Sequence, residues 1–124
     1  MTAVVDSSVV LAWLLDEPGS DVAEQHLMEG VISAVNWSEV IQKARHHGTD
    51  AVVAATLLSS FGLTVADAAR EDAEVAAGMW RSGTGLSLAD RFCLATALRL
   101  DLSAVTADRR WSSVEAGPTV TQIR

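Results

Sequence analysis

Positive charge is what this chain has least of. Nine Lys and Arg stand against sixteen Asp and Glu in 124 residues, a formal net charge of −7, and Lys43 is the single lysine. Neutralisation of phosphates by cations dominates broad nucleic-acid binding, so this balance excludes a large basic binding face. It leaves open action on a phosphodiester with metal ions supplying the positive charge, and it suits a basic partner chain. The lack of lysine also counts against two aspartate chemistries. Phosphoryl transfer through an aspartyl intermediate at Asp6 calls for a second acid two residues on, where "DSS" has Ser8. A phosphoacceptor signalling module built on Asp67 and Thr106 calls for a lysine after the last strand, and there is none.

Cysteine is nearly absent too. Cys93 has no intrachain partner, which excludes a disulfide scaffold and fits a reducing cytoplasm. Its place in an apolar helix marks it as a buried structural thiol rather than a nucleophile. No apolar run approaches the length of a bilayer span, so no membrane association is expected. "VVLAWLL", residues 9–15, imitates a signal peptide but has Asp6 and two serines where a basic segment belongs. Repeats, low-complexity stretches and linkers are missing as well. With 49% hydrophobic and 20% charged residues, the chain reads as one folded domain over residues 1–124, with some apolar surface left for a partner.

What is present alternates between strand and helix. "AVV", residues 3–5, reads as a buried strand, followed by a helix that Ser7 or Ser8 starts. A second helix covers residues 21–29 after "EPGS". "VISAV", 31–35, is the second strand, and "NWSEVIQKARHHG" a helix with Asn36 as N-cap and Gly48 as its stop. Residues 50–61 form another helix, "LTVA" a third strand, and 67–81 a helix with Asp67 as N-cap. "GLSLADRFCLATALRL" gives a helix from Ser87 to about residue 100, "SAVT" a fourth strand and "TVTQI" a candidate fifth. Such alternation indicates α/β architecture with a largely parallel sheet. Trp13, Leu14 and Leu15 on the first helix read as core ahead of a partner-facing stripe.

Parallel strands connected by right-handed crossovers end at one edge, and the helices that follow them begin there. Asp6, Glu39, Asp90 and Asp108 therefore fall along the carboxyl edge, where open α/β sheets bind ligands. Each acid has a structural explanation of its own. Asp90 is placed as the N3 partner of Ser87 in a capping box, Glu39 as that of Asn36, Asp108 as the cap of a short helix, and Asp6 as a strand-ending turn residue. Together they pose an electrostatic problem. Two unit charges about 4 Å apart repel by roughly 1 kcal/mol in water and about 4 kcal/mol at an effective dielectric of 20. Convergent acids must be protonated, splayed apart or neutralised by a cation. An all-oxygen set favours Mg²⁺ or Mn²⁺ over zinc. His26 falls mid-helix, and His46 and His47 lie at the far end of theirs.

"VVDSSVVLAWLL", "VNWSEVIQKA", "GLSLADRFCLATAL" and "AVTADRRW" resemble, in order and spacing, the motifs of PIN-domain ribonucleases, above all the VapC-type toxins of toxin–antitoxin pairs. The similarity spans nearly the whole chain, with little signal in residues 48–82. It implies a PIN-like three-layer α/β/α fold around a mainly parallel sheet of four or five strands, with strand one beside strand four. It implies metal-dependent endoribonuclease activity with Mg²⁺ or Mn²⁺. Asp6 and Asp90 would be the main metal ligands, and Glu39 and Asp108 would complete the site directly or through water. Ser8, Asn36 and Thr106 fall on supporting positions. The resemblance also implies a homodimer silenced by a small VapB-like antitoxin, in the cytoplasm. Arg91, Arg109 and Arg110 flank the acids and are candidates for RNA phosphates, or else ordinary surface cations. The alternative is a catalytically silent PIN-like module that binds RNA or a partner.

Overall fold

Five parallel strands in the order β3-β2-β1-β4-β5 form the centre of the computed structural model, which describes residues 2–113 and 117–124. The strands are β1 (Val4–Val5), β2 (Val31–Ser33), β3 (Thr64–Ala66), β4 (Ala104–Thr106) and β5 (Val120–Gln122). The helices are α1 (Ser7–Leu14), α2 (Ser20–Leu27), α3 (Ala34–His46), α4 (Ala51–Ser60), α5 (Arg70–Gly78) and α6 (Leu88–Leu100). A short 3-10 helix, Arg109–Ser113, follows β4.

Successive strand side chains point to opposite faces, and here they feed two cores. Val5, Ile32 and Val105 pack with Val9, Val10, Leu27, Val40 and Leu58 from α1 to α4. Val4 and Ala104 pack on the other side with Cys93, Leu94 and Ala97 of α6 and with the buried Trp111. The expected three layers follow from this alternation. Trp13 is half-buried, edge-on to Phe61 with ring centroids 5.2 Å apart, so it belongs to the first core.

The chain adds β2 and β3 on one side of β1, then crosses to add β4 on the other. Val4 pairs with both Val31 and Ala104. The strand order thus reverses between β1 and β4, and a crevice opens at the carboxyl end of that pair.

Two helix starts differ from expectation, while the first helix begins at one of the two serines expected. Asn36 is not an N-cap: the strand ends sooner, Ser33 takes the cap, and Asn36 is a fully buried residue of the first turn, whose backbone N–H donates to Ser33 Oγ at 3.3 Å. Asp67 is not a cap either. Helix α5 begins after Ala69, whose N–H donates to Asp72 at 3.1 Å. The first helix begins at Ser7 with Asp6 in the cap position, but the Asp6 side chain makes no capping bond. His26 sits in the last turn of α2 rather than mid-helix. The box at α6 matches expectation: Asp90 N–H donates to Ser87 Oγ at 3.1 Å and Ser87 N–H donates back to Asp90 Oδ2 at 2.8 Å.

Asp72 is wholly buried, and Arg99 of α6 forks onto it at 2.8 and 3.1 Å while also donating to the Asp67 carbonyl at 3.2 Å. Burial alone would raise its pKa, but the Arg99 and Ala69 donors hold the carboxyl below the usual range. Removing one member of a buried pair strands the other charge. Arg99→Ala is therefore expected to cost about 3 kcal/mol in urea unfolding. Glu74→Ala, which breaks the exposed Arg70–Glu74 pair, should cost less than about 0.5 kcal/mol.

Candidate active site

At the crevice between β1 and β4, Asp6 is 3% exposed and carries three donors. Ser8 Oγ donates to its Oδ2 at 2.6 Å and Thr106 Oγ1 at 3.2 Å, while Asn36 Nδ2 donates to its Oδ1 at 3.1 Å. Each donor has a fixed origin. Ser8 is in the first turn of α1, Thr106 ends the neighbouring strand, and Asn36 is set by Ser33, whose Oγ donates to Asn36 Oδ1 at 2.8 Å. The second Asn36 proton goes to the Ala89 carbonyl at 3.2 Å, in the turn that carries Asp90. One amide thus ties β1, α3 and α6 together.

Glu39 lies on α3, half-buried, and its Oε1 accepts from Ser7 Oγ at 2.8 Å. Asp108 follows β4, with its N–H donating to Thr106 Oγ1 at 3.0 Å. Ser7 and Ser33 are the site residues that sequence reasoning missed. The second serine of "DSS" drew attention to Ser8, whereas the first one holds Glu39.

Electrostatically the acids form one group. Burial raises the Asp6 pKa to about 6, with Asp90 and Glu39 adding to the rise and the Ser8 and Thr106 donors opposing it. The Cys93 thiol is pushed up well above its ordinary value, first by burial and then by Asp6, Asp90 and Glu39, so it stays protonated and inert. Geometrically they are splayed. Among the described residues, no three acid, imidazole or thiol groups converge closely enough to hold one ion. The crowding expected from the sequence is corrected to this extent, and the causes are local. Asp90 Oδ2 is turned back to its helix N-terminus, Glu39 Oε1 is held by Ser7, and Asp108 is forked by Arg110. Asp90 Oδ1 and Glu39 Oε2 make no hydrogen bond among the described residues. The donor set is hard, anionic oxygen without sulfur or nitrogen, which fits a hard divalent cation.

The arginines behave differently from one another. Arg91 reaches away from the acids to the Ala76 carbonyl at 2.9 Å on α5. Arg109 is exposed. Arg110 lies on Asp108.

The PIN domain family matches residues 3–117 of this chain. The chain belongs to the PIN-domain family, a family of nucleases. Its fold is similar to that of a toxin–antitoxin complex from Klebsiella pneumoniae, with a TM-score of 0.79, 21% identity and 98% of both chains covered. It is similar to Mycobacterium tuberculosis VapC20, a toxin that cleaves the sarcin-ricin loop, at TM-score 0.72 and 18% identity over 95% of this chain and 100% of that one. The DNA-bound VapBC of Salmonella typhimurium gives 0.70 and 18% over 100% of both chains. No curated protein matches the chain in sequence.

A raised carboxyl pKa has a definite stability signature. The folded chain keeps the Asp6 proton up to about pH 6, whereas the unfolded chain loses it near 3.8. In chelator, stability should therefore be fully present below about pH 4 and fall as pH rises through about 6, by about 3 kcal/mol in total. Asp6→Asn should flatten that slope, because the hydroxyls of Ser8 and Thr106 can rotate to accept from an amide. Urea midpoints at a series of pH values measure both.

Proposed function

We propose that this PIN domain, acting as one unit over residues 1–124, is a Mg²⁺- or Mn²⁺-dependent endoribonuclease and the toxin of a toxin–antitoxin pair. The reading is supported by one observation: the three separate segments that carry Asp6, Glu39 and Asp90 are tied together beside the strand-order switch, Asn36 bonding Asp6 and the Ala89 carbonyl and Ser7 bonding Glu39, and Asp6 feels the charge of both other acids. The likeness of fold to toxin–antitoxin complexes and to an RNA-cleaving VapC supports it.

When bound, a divalent ion lends positive charge to the phosphate oxygens and acidity to the attacking water. Asp6 and Asp90 are the residues that would hold it, and Glu39 and Asp108 would complete the site. Ser8, Thr106 and Asn36 fix the Asp6 carboxylate, so that it need not reorganise during reaction. The free oxygen of Glu39 is suited to orient the water and take its proton. In-line attack forms a new P–O bond as the P–O3′ bond breaks, leaving a 5′-phosphate and a 3′-hydroxyl. The acidic surface supplies few phosphate contacts, so RNA binding depends on the site itself and on neighbours such as Arg109. An open, largely apolar groove between α3 and α4, lined by Trp37, Ile41, Ala51, Val52 and Ala55, supports a bound partner. We assign that partner as a small VapB-like antitoxin, with the toxin a homodimer in the cytoplasm.

Cleavage of labelled RNA in Mg²⁺ or Mn²⁺, and its loss in EDTA, tests the assignment against a silent binding module. Asp90→Asn and Glu39→Gln should each lower the rate by about 100-fold or more with circular dichroism unchanged. Undiminished cleavage in chelator would sink the reading.

A further inference from the structure

Of the four candidate acids, Asp108 is the one that forms an ion pair with an arginine among the described residues. Arg110 Nε lies 3.0 Å from both of its oxygens and Nη2 2.5 Å from Oδ2. The pair is built into the turn. Asp108 N–H is held by Thr106 Oγ1 at 3.0 Å, its carbonyl accepts from Gln122 Nε2 at 3.3 Å, and its Oδ1 accepts the Arg110 N–H at 2.9 Å as the 3-10 helix starts. The loop before α6 closes on the same guanidinium. Gly85, at φ +72°, presents bare backbone to it: a Cβ there would stand 3.4 Å from Arg110 Cδ and Nη1. Thr106 Oγ1, which accepts from Asp108, also donates to Asp6. The guanidinium is within electrostatic reach of Asp90 and Asp6 as well.

We infer that Arg110 is a built-in counter-ion that holds Asp108 away from the other carboxylates and competes with the divalent cation for it. The inference rests on the metal-dependent reading above and adds a control on that site. Two features make the pair a latch rather than a permanent strut. Its side chains are 62% and 21% exposed, so water screens the attraction and the net strength of such a pair is small. A divalent ion at Asp6 and Asp90 also repels the guanidinium while attracting Asp108. Arg110 is thus a positioning residue: it sets where the Asp108 carboxylate points before metal arrives.

Calorimetric titration with Mn²⁺ alone tests this on four full-length chains: the wild type, Arg110→Gln, Asp108→Asn and the double variant. Arg110→Gln keeps the backbone N–H that caps the 3-10 helix and removes the fork. It should bind Mn²⁺ about two- to fivefold more tightly than wild type. Asp108→Asn should weaken binding, because it removes an oxygen that completes the site, and in that background Arg110→Gln should bring a much smaller gain than in the wild type. Wild-type Mn²⁺ binding with no tightening in Arg110→Gln overturns the latch and leaves the metal site standing. An equal gain in the Asp108→Asn background also overturns it, showing only the loss of a distant charge. Absence of Mn²⁺ binding in all four chains overturns the metal site and the latch together.

Discussion

The Asp6 carboxylate is buried, and much of the local structure follows from the donors that surround it. An ionised carboxylate away from water is costly unless donors surround it. Here the donors come from three places far apart in sequence. Ser8 is two residues on, Asn36 is thirty, and Thr106 is a hundred. Satisfying one acid therefore fixes the start of α1, the first turn of α3 and the end of β4 against one another. Asn36 has the most exacting task. It donates to both Asp6 and Ala89, and its own oxygen must be occupied by Ser33, or the amide could flip and present an acceptor to a carboxylate.

Scarcity of cations explains how the remaining charge is handled. Two carboxylates outside the core of the site are each matched by an arginine fork, Asp72 by Arg99 and Asp108 by Arg110. A guanidinium presents a planar pair of donors to both carboxylate oxygens, which an ammonium cannot do. The two forks differ in surroundings. Asp72 is sealed in and its arginine clamps α5 to α6, whereas Asp108 keeps some contact with water and its arginine is largely exposed. The same chemistry therefore works in a dry setting in one place and in a screened one in the other.

How much of this the sequence disclosed can be judged element by element. All five strands and six helices were legible, because apolar pairs such as Val4–Val5 and Ala104–Val105 must feed both faces of a parallel sheet and loop residues separate them cleanly. The carboxyl edge was legible for the same reason: crossover geometry dictates where the helices begin. Asn36 was misplaced because two good cap residues, Ser33 and Asn36, lie three apart. Only the length of β2 decides between them, and that length is set by pairing with β3. Asp67 was misplaced because Ala69, the actual cap position, has no polar side chain to announce it. The anchoring signal is Arg99, which lies 27 residues beyond Asp72 and is visible only in three dimensions. The splaying of the acids was likewise beyond reach of spacing, since it depends on which oxygen each neighbour occupies.

Asp90 shows why the cap and site readings of these acids are not rivals. The capping box takes Oδ2 and points it at the Ser87 N–H, which fixes the side-chain torsion of a residue in the first turn of a rigid helix. That leaves Oδ1 in a defined direction, on an element whose other face is locked by Cys93, Leu94 and Ala97. A carboxylate with both oxygens free samples several rotamers, whereas the half-satisfied acid is held in one of them while its second oxygen makes no hydrogen bond among the described residues. Glu39, with Ser7 on one oxygen, repeats the arrangement. Helix capping, usually counted as a contribution to stability, here also fixes the direction of a carboxylate.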